Sequence, residues 1–384
     1  MEEALRRMEK AMETSAFARS RGRLAVLVTV IALAIGACSG SSSAAPTTAP
    51  STGGGGGGSA APGGSGPIVL PTPEKKTLKI GLSTGGESSQ YAEFLAEQLG
   101  YYKTIGGFDS VEVSSLQGDA KVVQAIVAGG LDLGVLGVSG AINSAATDTP
   151  IQILSINGVT LTDGLVCGAD VKTADDVKGK QIAISSFGST AHGSTILLLE
   201  GIGLTEKDVT LTTVGNQDAR LAAVKAGSVA CAPIDLAQKT AVLAAGLNVV
   251  TDNKSSGKQW GRSGLGATKD FIAANPNTVL GVVASVLAAQ NYMFTNTDDA
   301  AAKFAEYSQQ TLENSKSVIA DYVSVANRSM GWSDEAFTNP QKVLSAVNPA
   351  MANVDITKTY DKSFLQKLVD LGFYSQIGNP ELPK

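Results

Sequence analysis

Between residues 77 and 250 the apolar positions follow two periods that take turns. Leu78, Ile80 and Leu82 alternate with Lys79 and Gly81, which predicts a strand running into the turn Ser83-Thr84-Gly85-Gly86. Tyr91, Phe94, Leu95 and Leu99 then recur at helical spacing until Gly100 stops them. Val111-Glu112-Val113 predicts a second strand. Val122, Val123, Ile126 and Val127 form one face of a second helix closed by Gly129 and Gly130, and a third strand covers Leu131 to Val135. Strand and helix in alternation predict a parallel α/β layer.

The same grammar returns about one hundred residues later. Gln181 to Ile184 reads as a strand ending in Ser185-Ser186-Phe187-Gly188, followed by a helix through Ile196 to Glu200, a strand from Val209 to Val214, a helix from Ala219 to Ala226 and a strand from Val229 to Ala232. The stretch from Ala125 to Leu133 aligns without a gap on Ala223 to Cys231. The fold class this predicts is α/β with two Rossmann-like lobes. Clefts between lobes hold small ligands, beyond the carboxyl ends of the strands. After Asn248 the pattern turns mostly helical, with a long helix opened by Asn275 as cap and Pro276. Lobe one is therefore expected over 77–160 and, as a mostly helical return, 251–384. Lobe two is expected over 161–250.

The segment before residue 77 belongs to neither lobe. Arg19, Arg21 and Arg23 precede an apolar run from Leu24 to Ile35, too short for the ~20 residues that span a bilayer. The shape is that of a signal peptide, over 1–38. Ile35-Gly36-Ala37-Cys38 resembles the lipobox of bacterial lipoproteins, which makes Cys38 the expected lipidation site and places the protein outside the cytoplasm, attached to the cell membrane through lipid alone. Residues 39–76 are mostly Ser, Ala, Thr, Pro and Gly, with an unbroken run from Gly53 to Gly58, and predict a disordered tether. The charged stretch before Met12 is unlike a signal-peptide start, so Met12 is the expected initiation site.

Composition narrows the chemistry. A net charge of -5 and a pI near 5.1 argue against nucleic acid as partner. One histidine and three cysteines are too few for a zinc site of ordinary ligand spacing. No cofactor and no metal are expected.

Several segments together resemble the type II periplasmic-binding-protein superfamily, and within it the group that binds sulfonates, taurine, nitrate and thiamine precursors. They are Leu78 to Gly81, Ala96 to Tyr102, Ala128 to Asp132, Asp175 to Ala183 and Leu368 to Phe373. The resemblance implies two lobes joined by hinge strands, near Thr160 and Asn248, that close on a solute, no enzymatic activity, a monomer, and a cognate ABC permease and ATPase as partners. It places ligand contacts at Ser83, Thr84, Gly85 and Gly86, at Gly137 and Ser139 with Val138 between them, at Ser186 through His192, and at Asn216 and Gln217. Gly188-Ser189-Thr190-Ala191-His192 is similar to the corresponding turn of sulfonate binders. As a helix start it offers free N–H groups to an oxyanion. A plain N-cap is the ligand-free reading of the same residues. Phe187 and Ile234 are the expected apolar wall for a tail. Ala232 to Leu236 lacks the aromatic that sulfonate binders often carry there, and Ala230 stands where an acidic residue is frequent. No arginine sits in these loops, so no guanidinium clamp is expected. Family topology also sets the strand of Cys167 beside that of Cys231; a disulfide and two buried thiols remain open.

Two other functions fit parts of the pattern. Gly81-Leu82-Ser83-Thr84-Gly85 matches the G-x-S-x-G elbow of serine hydrolases, although His192 falls in the opposite lobe. A ligand-sensing lipoprotein of the same fold is the other.

Overall fold

The computed structural model describes residues 67–254 and 258–383. The expected signal segment, Cys38 and the tether up to residue 66 lie outside the described residues.

Short apolar segments pair into two five-stranded sheets. Strands β1 (Thr77–Leu82), β2 (Ser110–Ser115), β3 (Leu133–Leu136), β4 (Ile151–Thr160), β5 (Asp163–Cys167), β6 (Gln181–Ile184), β7 (Thr210–Thr213), β8 (Cys231–Asp235), β9 (Asn248–Asp252) and β10 (Gln259–Thr268) follow in chain order. The first sheet runs β2-β1-β3-β10-β4 and the second β7-β6-β8-β5-β9. Both sheets are mixed rather than parallel. β10 runs antiparallel to β3 and β4, and β5 runs antiparallel to β8 and β9. The chain crosses from the first sheet to the second after Thr160 and returns after Asp252, and each sheet takes in the strand that follows a crossing. The second crossing therefore lies later than the expected hinge at Asn248, which starts β9 inside the second sheet.

β10 is the strand that the sequence conceals. Its residues Gln259 to Thr268 include three glycines and no valine or isoleucine, so period-two apolarity is absent. Its position is nonetheless central, and Trp260 and Leu265 on it are fully buried.

Ten helices of eight residues or more occur among the described residues: α1 (Tyr91–Gln98), α2 (Asp119–Val127), α3 (Val138–Ala146), α4 (Thr190–Gly201), α5 (Gln217–Lys225), α6 (Pro276–Thr295), α7 (Thr297–Ser308), α8 (Leu312–Val323), α9 (Glu335–Ser345) and α10 (Ser363–Asp370). α6 is long and apolar enough to cross a membrane, but 83% of that stretch is buried in lobe one, where it packs on α1 and α10. Asn275 does not cap it; the Asn275 amide donates to Phe271 O instead. The free N–H groups of Asn277 and Thr278 donate to the Glu74 carboxylate at 3.0 and 2.8 Å. Glu74 belongs to a strap, residues 67–76, that was expected to be disordered. Ile68 and Leu70 pack on the core of lobe one, and Lys75 pairs with Asp132.

Lobe two has two small apolar layers, one on each side of its sheet. Cys167 and Cys231 face each other in register on β5 and β8, both fully buried, and their sulfurs are bonded.

Candidate functional site

The carboxyl ends of the parallel strands of both sheets point at one cleft. β1 ends in the loop carrying Ser83, Thr84 and Glu87, and β3 ends in Gly137. Across from them, β6 ends in the turn that opens α4, and β7 ends before Asn216, whose side chain caps α5 by accepting from Ala219 N–H at 2.9 Å. The lobes touch: a Cβ placed on Gly137 would come within 1.8 Å of Thr190 Oγ1, and one on Gly188 within 2.9 Å of Asn143. Trp260 of lobe one lies against Gly193 of α4 in the same way.

Inside this seam is a cavity of about 50 Å³ lined by polar groups of both lobes. Ser83, Thr84, Glu87, Gln90, Asp119 and Gly137 line it from lobe one with Arg262; Asp163, Ser185, Thr190, Gln217 and Arg220 line it from lobe two. Arg262 also borders a second chamber of about 310 Å³, beside Thr162, Asp235, Lys239, Asp321 and Tyr322.

The charges are held in different ways. The Arg262 guanidinium donates to Asp235 at 2.7 Å and to Thr162 Oγ1 at 2.6 Å, with Asp163 at 3.7 Å. Burial opposes its charge, but Asp235 and Asp163 outweigh burial and raise its pKa. Arg220 is also buried, yet among the described residues it donates only to backbone carbonyls, Gly215 O at 2.7 Å and Pro233 O at 3.2 and 3.4 Å. Among the described residues no carboxylate lies within ion-pair distance of it. Burial lowers its pKa while Glu87 and Asp163 pull it back. Burial raises the pKa of the Asp119 carboxylate, against the lowering influence of the nearby Ser83 hydroxyl and the N–H groups of Gly137 and Thr190. Glu87 is pushed up to about 7 by burial, against the pull of Arg262 and Arg220.

Of the residues expected at the site, Ser83, Thr84, Gly137, Thr190 and Gln217 line the cavity, and Gln217 also accepts from Asp235 N–H at 2.8 Å. Thr84 Oγ1 is buried without a partner among the described residues. Gly85 lies over Ser115, and Gly86 faces Asp218 of lobe two. Asn216 caps α5. Phe187, Gly188 and Ser189 line a different pocket, on the rim, and Phe187 is 60% exposed. Ser189 Oγ is occupied as the cap of α4, accepting from His192 N–H and donating to Ser186 O. Ser139 is fully buried and accepts from Trp260 Nε1.

Two expectations are corrected. His192 is buried, with Nδ1 accepting from Gly188 N–H and Nε2 against Glu206 Oε1, so neither ring nitrogen faces the cleft. Ile234 was expected on a loop, but β8 extends to Asp235 and pairs Ile234 with Gly164, which turns its side chain into the core of lobe two.

Sequence reasoning missed Glu87, Asp119, Asp163, Arg220 and Arg262, having found no arginine in the cleft loops. Signals for some existed. Arg220 stands on the buried stripe of α5 with Gln217, Leu221 and Val224, where an apolar residue belongs. Asp163 heads a strand that is buried throughout. Arg262 is the one charge within β10, but a strand not recognised offers no face to read.

The model of the NMT1/THI5-like family matches residues 89–300, more than half of the chain. The chain belongs to the NMT1/THI5-like family. A taurine-binding periplasmic protein of Escherichia coli (strain K12) is 28% identical over 193 residues, which is 49% of this NMT1/THI5-like chain and 59% of that relative's length. The alkanesulfonate-binding protein of Xanthomonas axonopodis pv. citri shares the fold at a TM-score of 0.64 and 18% identity, over 75% of this chain and 99% of that one. The desulfurization enzyme DSZB shares it too, at a TM-score of 0.57 and 15% identity, over 76% and 99%. The fold of this NMT1/THI5-like member is thus the type II periplasmic-binding-protein fold, which serves binding proteins and at least one enzyme.

Proposed function

We propose that the chain is the extracytoplasmic solute-binding component of an ABC importer, lipid-anchored at Cys38, and that it captures a small organic anion in the interlobe cavity. The observation that carries this is Arg220. A guanidinium held by carbonyl oxygens keeps its full charge, and burying one without a counter-ion is costly. An anionic solute supplies that counter-ion, and Arg presents it with a planar fork of donors. The unpartnered Thr84 hydroxyl adds a donor or acceptor from the facing lobe. The taurine-binding and alkanesulfonate-binding relatives support an oxyanion as the charged group.

Each lobe supplies part of the shell, so capture and closure are one event. Solute on Arg220 draws the first-lobe loop after β1 against α5, and the two crossings between the sheets absorb the rotation. A permease with its ATPase would then meet the closed form. The hydrolase reading of Ser83 finds no support in its surroundings: the Ser83 hydroxyl meets Asp119 and Gln90, while both nitrogens of His192 are engaged elsewhere.

The test is calorimetry and thermal shift with taurine, ethanesulfonate and nitrate on the native chain, Arg220→Lys and Arg220→Met. Native protein at 100 times Kd gains about 2.7 kcal/mol of apparent stability. Arg220→Met, which keeps the volume and loses the charge, should bind roughly 100-fold more weakly, with Arg220→Lys between them. Native-like affinity in Arg220→Met would refute the assignment.

A further inference from the structure

The wall of the cavity is short of positive charge. Three carboxyl groups, Glu87, Asp119 and Asp163, line it with two guanidiniums, Arg220 and Arg262. Asp235, held by Arg262 at 2.7 Å, adds a further negative charge beside it. An anion seated on Arg220 therefore enters a buried space of about 50 Å³ whose wall is already net negative. Burying unbalanced charge is costly, and a carboxyl group in that position sheds its charge by taking a proton from solvent. The carboxyl groups differ in how readily they do so. Asp235 accepts directly from Arg262, and Asp163 Oδ2 accepts from the Ser194 hydroxyl at 2.8 Å. The Ser83 hydroxyl and the N–H groups of Gly137 and Thr190 favour the anion of Asp119. Glu87 has weaker local support. The Ser89 hydroxyl donates to it at 3.4 Å, while Arg262 foremost and then Arg220 attract it without touching it. An anion that engages Arg220 cancels part of that attraction and adds repulsion of its own.

We infer that capture of an anion in this cavity is coupled to the uptake of a proton, and that the Glu87 carboxylate is the group that takes it. The inference rests on the reading of Arg220 as the anion's seat. Burial already pushes Glu87 up to about 7, so its proton is within reach near neutrality. At pH values well below 7 the free protein holds that proton, and capture needs no other. As pH rises through 7 the free protein loses it and capture must recover it, so affinity falls with rising pH. The remaining groups about the loop do not change that direction. Asp218 on α5 and Asp321 on α8, which borders the neighbouring chamber beside Ser88, add only negative charge. Tyr91, Tyr307 and Tyr322 are raised by burial and stay protonated. Glu93 on α1 is raised to about 7 as well, but the Asn157 amide donates to both of its oxygens and it does not line the cavity. β4, packed on the same turn, carries no titratable side chain.

The experiment is calorimetry of nitrate and of ethanesulfonate, neither of which takes up a proton near neutral pH, on the native chain and on Glu87→Gln. Tris and triethanolamine serve as buffers, because they differ in ionisation enthalpy and are cations that cannot occupy an anion's seat. The difference in binding heat between them counts the protons taken up. The native chain should take up roughly 0.5 to 1 proton per anion at about pH 8, and bind roughly 5- to 10-fold more weakly there than at about pH 6. Glu87→Gln, which keeps the shape of the protonated carboxyl, should take up none and should bind at about pH 8 as tightly as the native chain does at about pH 6. Binding to the native chain without proton uptake at about pH 8 overturns the coupling and leaves Arg220 standing. Uptake that persists in Glu87→Gln assigns the proton elsewhere, to Asp119 or Glu93, and overturns the role of Glu87. No measurable binding of either anion to the native chain overturns both readings.

Discussion

Reduction of the Cys167–Cys231 bridge should destabilise lobe two far more than lobe one. The bridge closes a loop of 64 residues, and that loop contains β6, α4, β7 and α5, hence Thr190 and Arg220 of the cavity wall. Chain-entropy arithmetic for a loop of this length puts the stabilisation at about 4 kcal/mol, an upper figure because an unfolded lobe is never fully random. Lobe two buries two modest apolar clusters against the single large one of lobe one, so a loss of that size should separate the two unfolding events. Urea titration of the native chain with and without reductant measures it, followed by protection from hydrogen exchange of the α6 amides for lobe one and of the α5 amides for lobe two. The amides of α5 should lose protection at clearly lower urea after reduction while those of α6 barely change, and solute affinity should fall. Alkylation under non-reducing denaturing conditions should leave Cys167 and Cys231 unmodified. Labelling of both, or a lobe-two midpoint shifted by less than the equivalent of about 1 kcal/mol, would refute the reasoning.

Gly137→Ala should obstruct closure, since its Cβ would meet Thr190 Oγ1 at 1.8 Å. Small-angle scattering should report a larger radius of gyration with solute present, and calorimetry a loss of roughly 10-fold or more in affinity, at an unchanged melting temperature without ligand. Glu93 is fully buried beside Asn157 and is pushed up to about 7 by burial. A carboxyl raised in the folded state binds its proton more tightly there than in the unfolded chain, so it costs stability progressively as pH rises from about 4.5 to 7, and fully above that. Glu93→Gln should accordingly raise the melting temperature at pH 8, by at most roughly 3 kcal/mol in stability, and do nothing at pH 4; equal effects at both would contradict it.

Much of the fold could be read because its period changes are clean. Leu78 to Leu82 and Gln181 to Ile184 alternate, end in glycine-containing turns and lead into helices, and the duplicated Ala125–Leu133 and Ala223–Cys231 segments reveal two lobes. What escaped was the crossing. β10 is built from Gly261, Gly264, Gly266 and Ser263 and earns its place through neighbours such as Ile153 and Val138, which press close to those glycines. Tertiary contact specifies that strand, and no local pattern records it. The site divides in the same manner. Loops at strand ends were legible, so Ser83, Thr84, Gly137, Thr190 and Gln217 were found. Of the charged groups, Arg220 sits on a buried helix stripe, Asp163 at a strand head and Arg262 on the concealed strand, where a sequence reads only an ill-fitting residue in a core position. His192 and Ile234 misled for the converse reason: proximity in sequence to a cleft loop does not decide which way a side chain turns.

The strap from Pro67 to Lys76 has a mechanical consequence. Glu74 is fastened to the start of α6, Lys75 to Asp132 and the Ile68 amide to Gln376, all on lobe one. A pull delivered along the chain from before Pro67 is therefore borne by the heavier lobe, through the end of its longest helix. Lobe two carries none of that load. Were lobe two to swing as the lighter jaw, tension on the chain before Pro67 would not reach it.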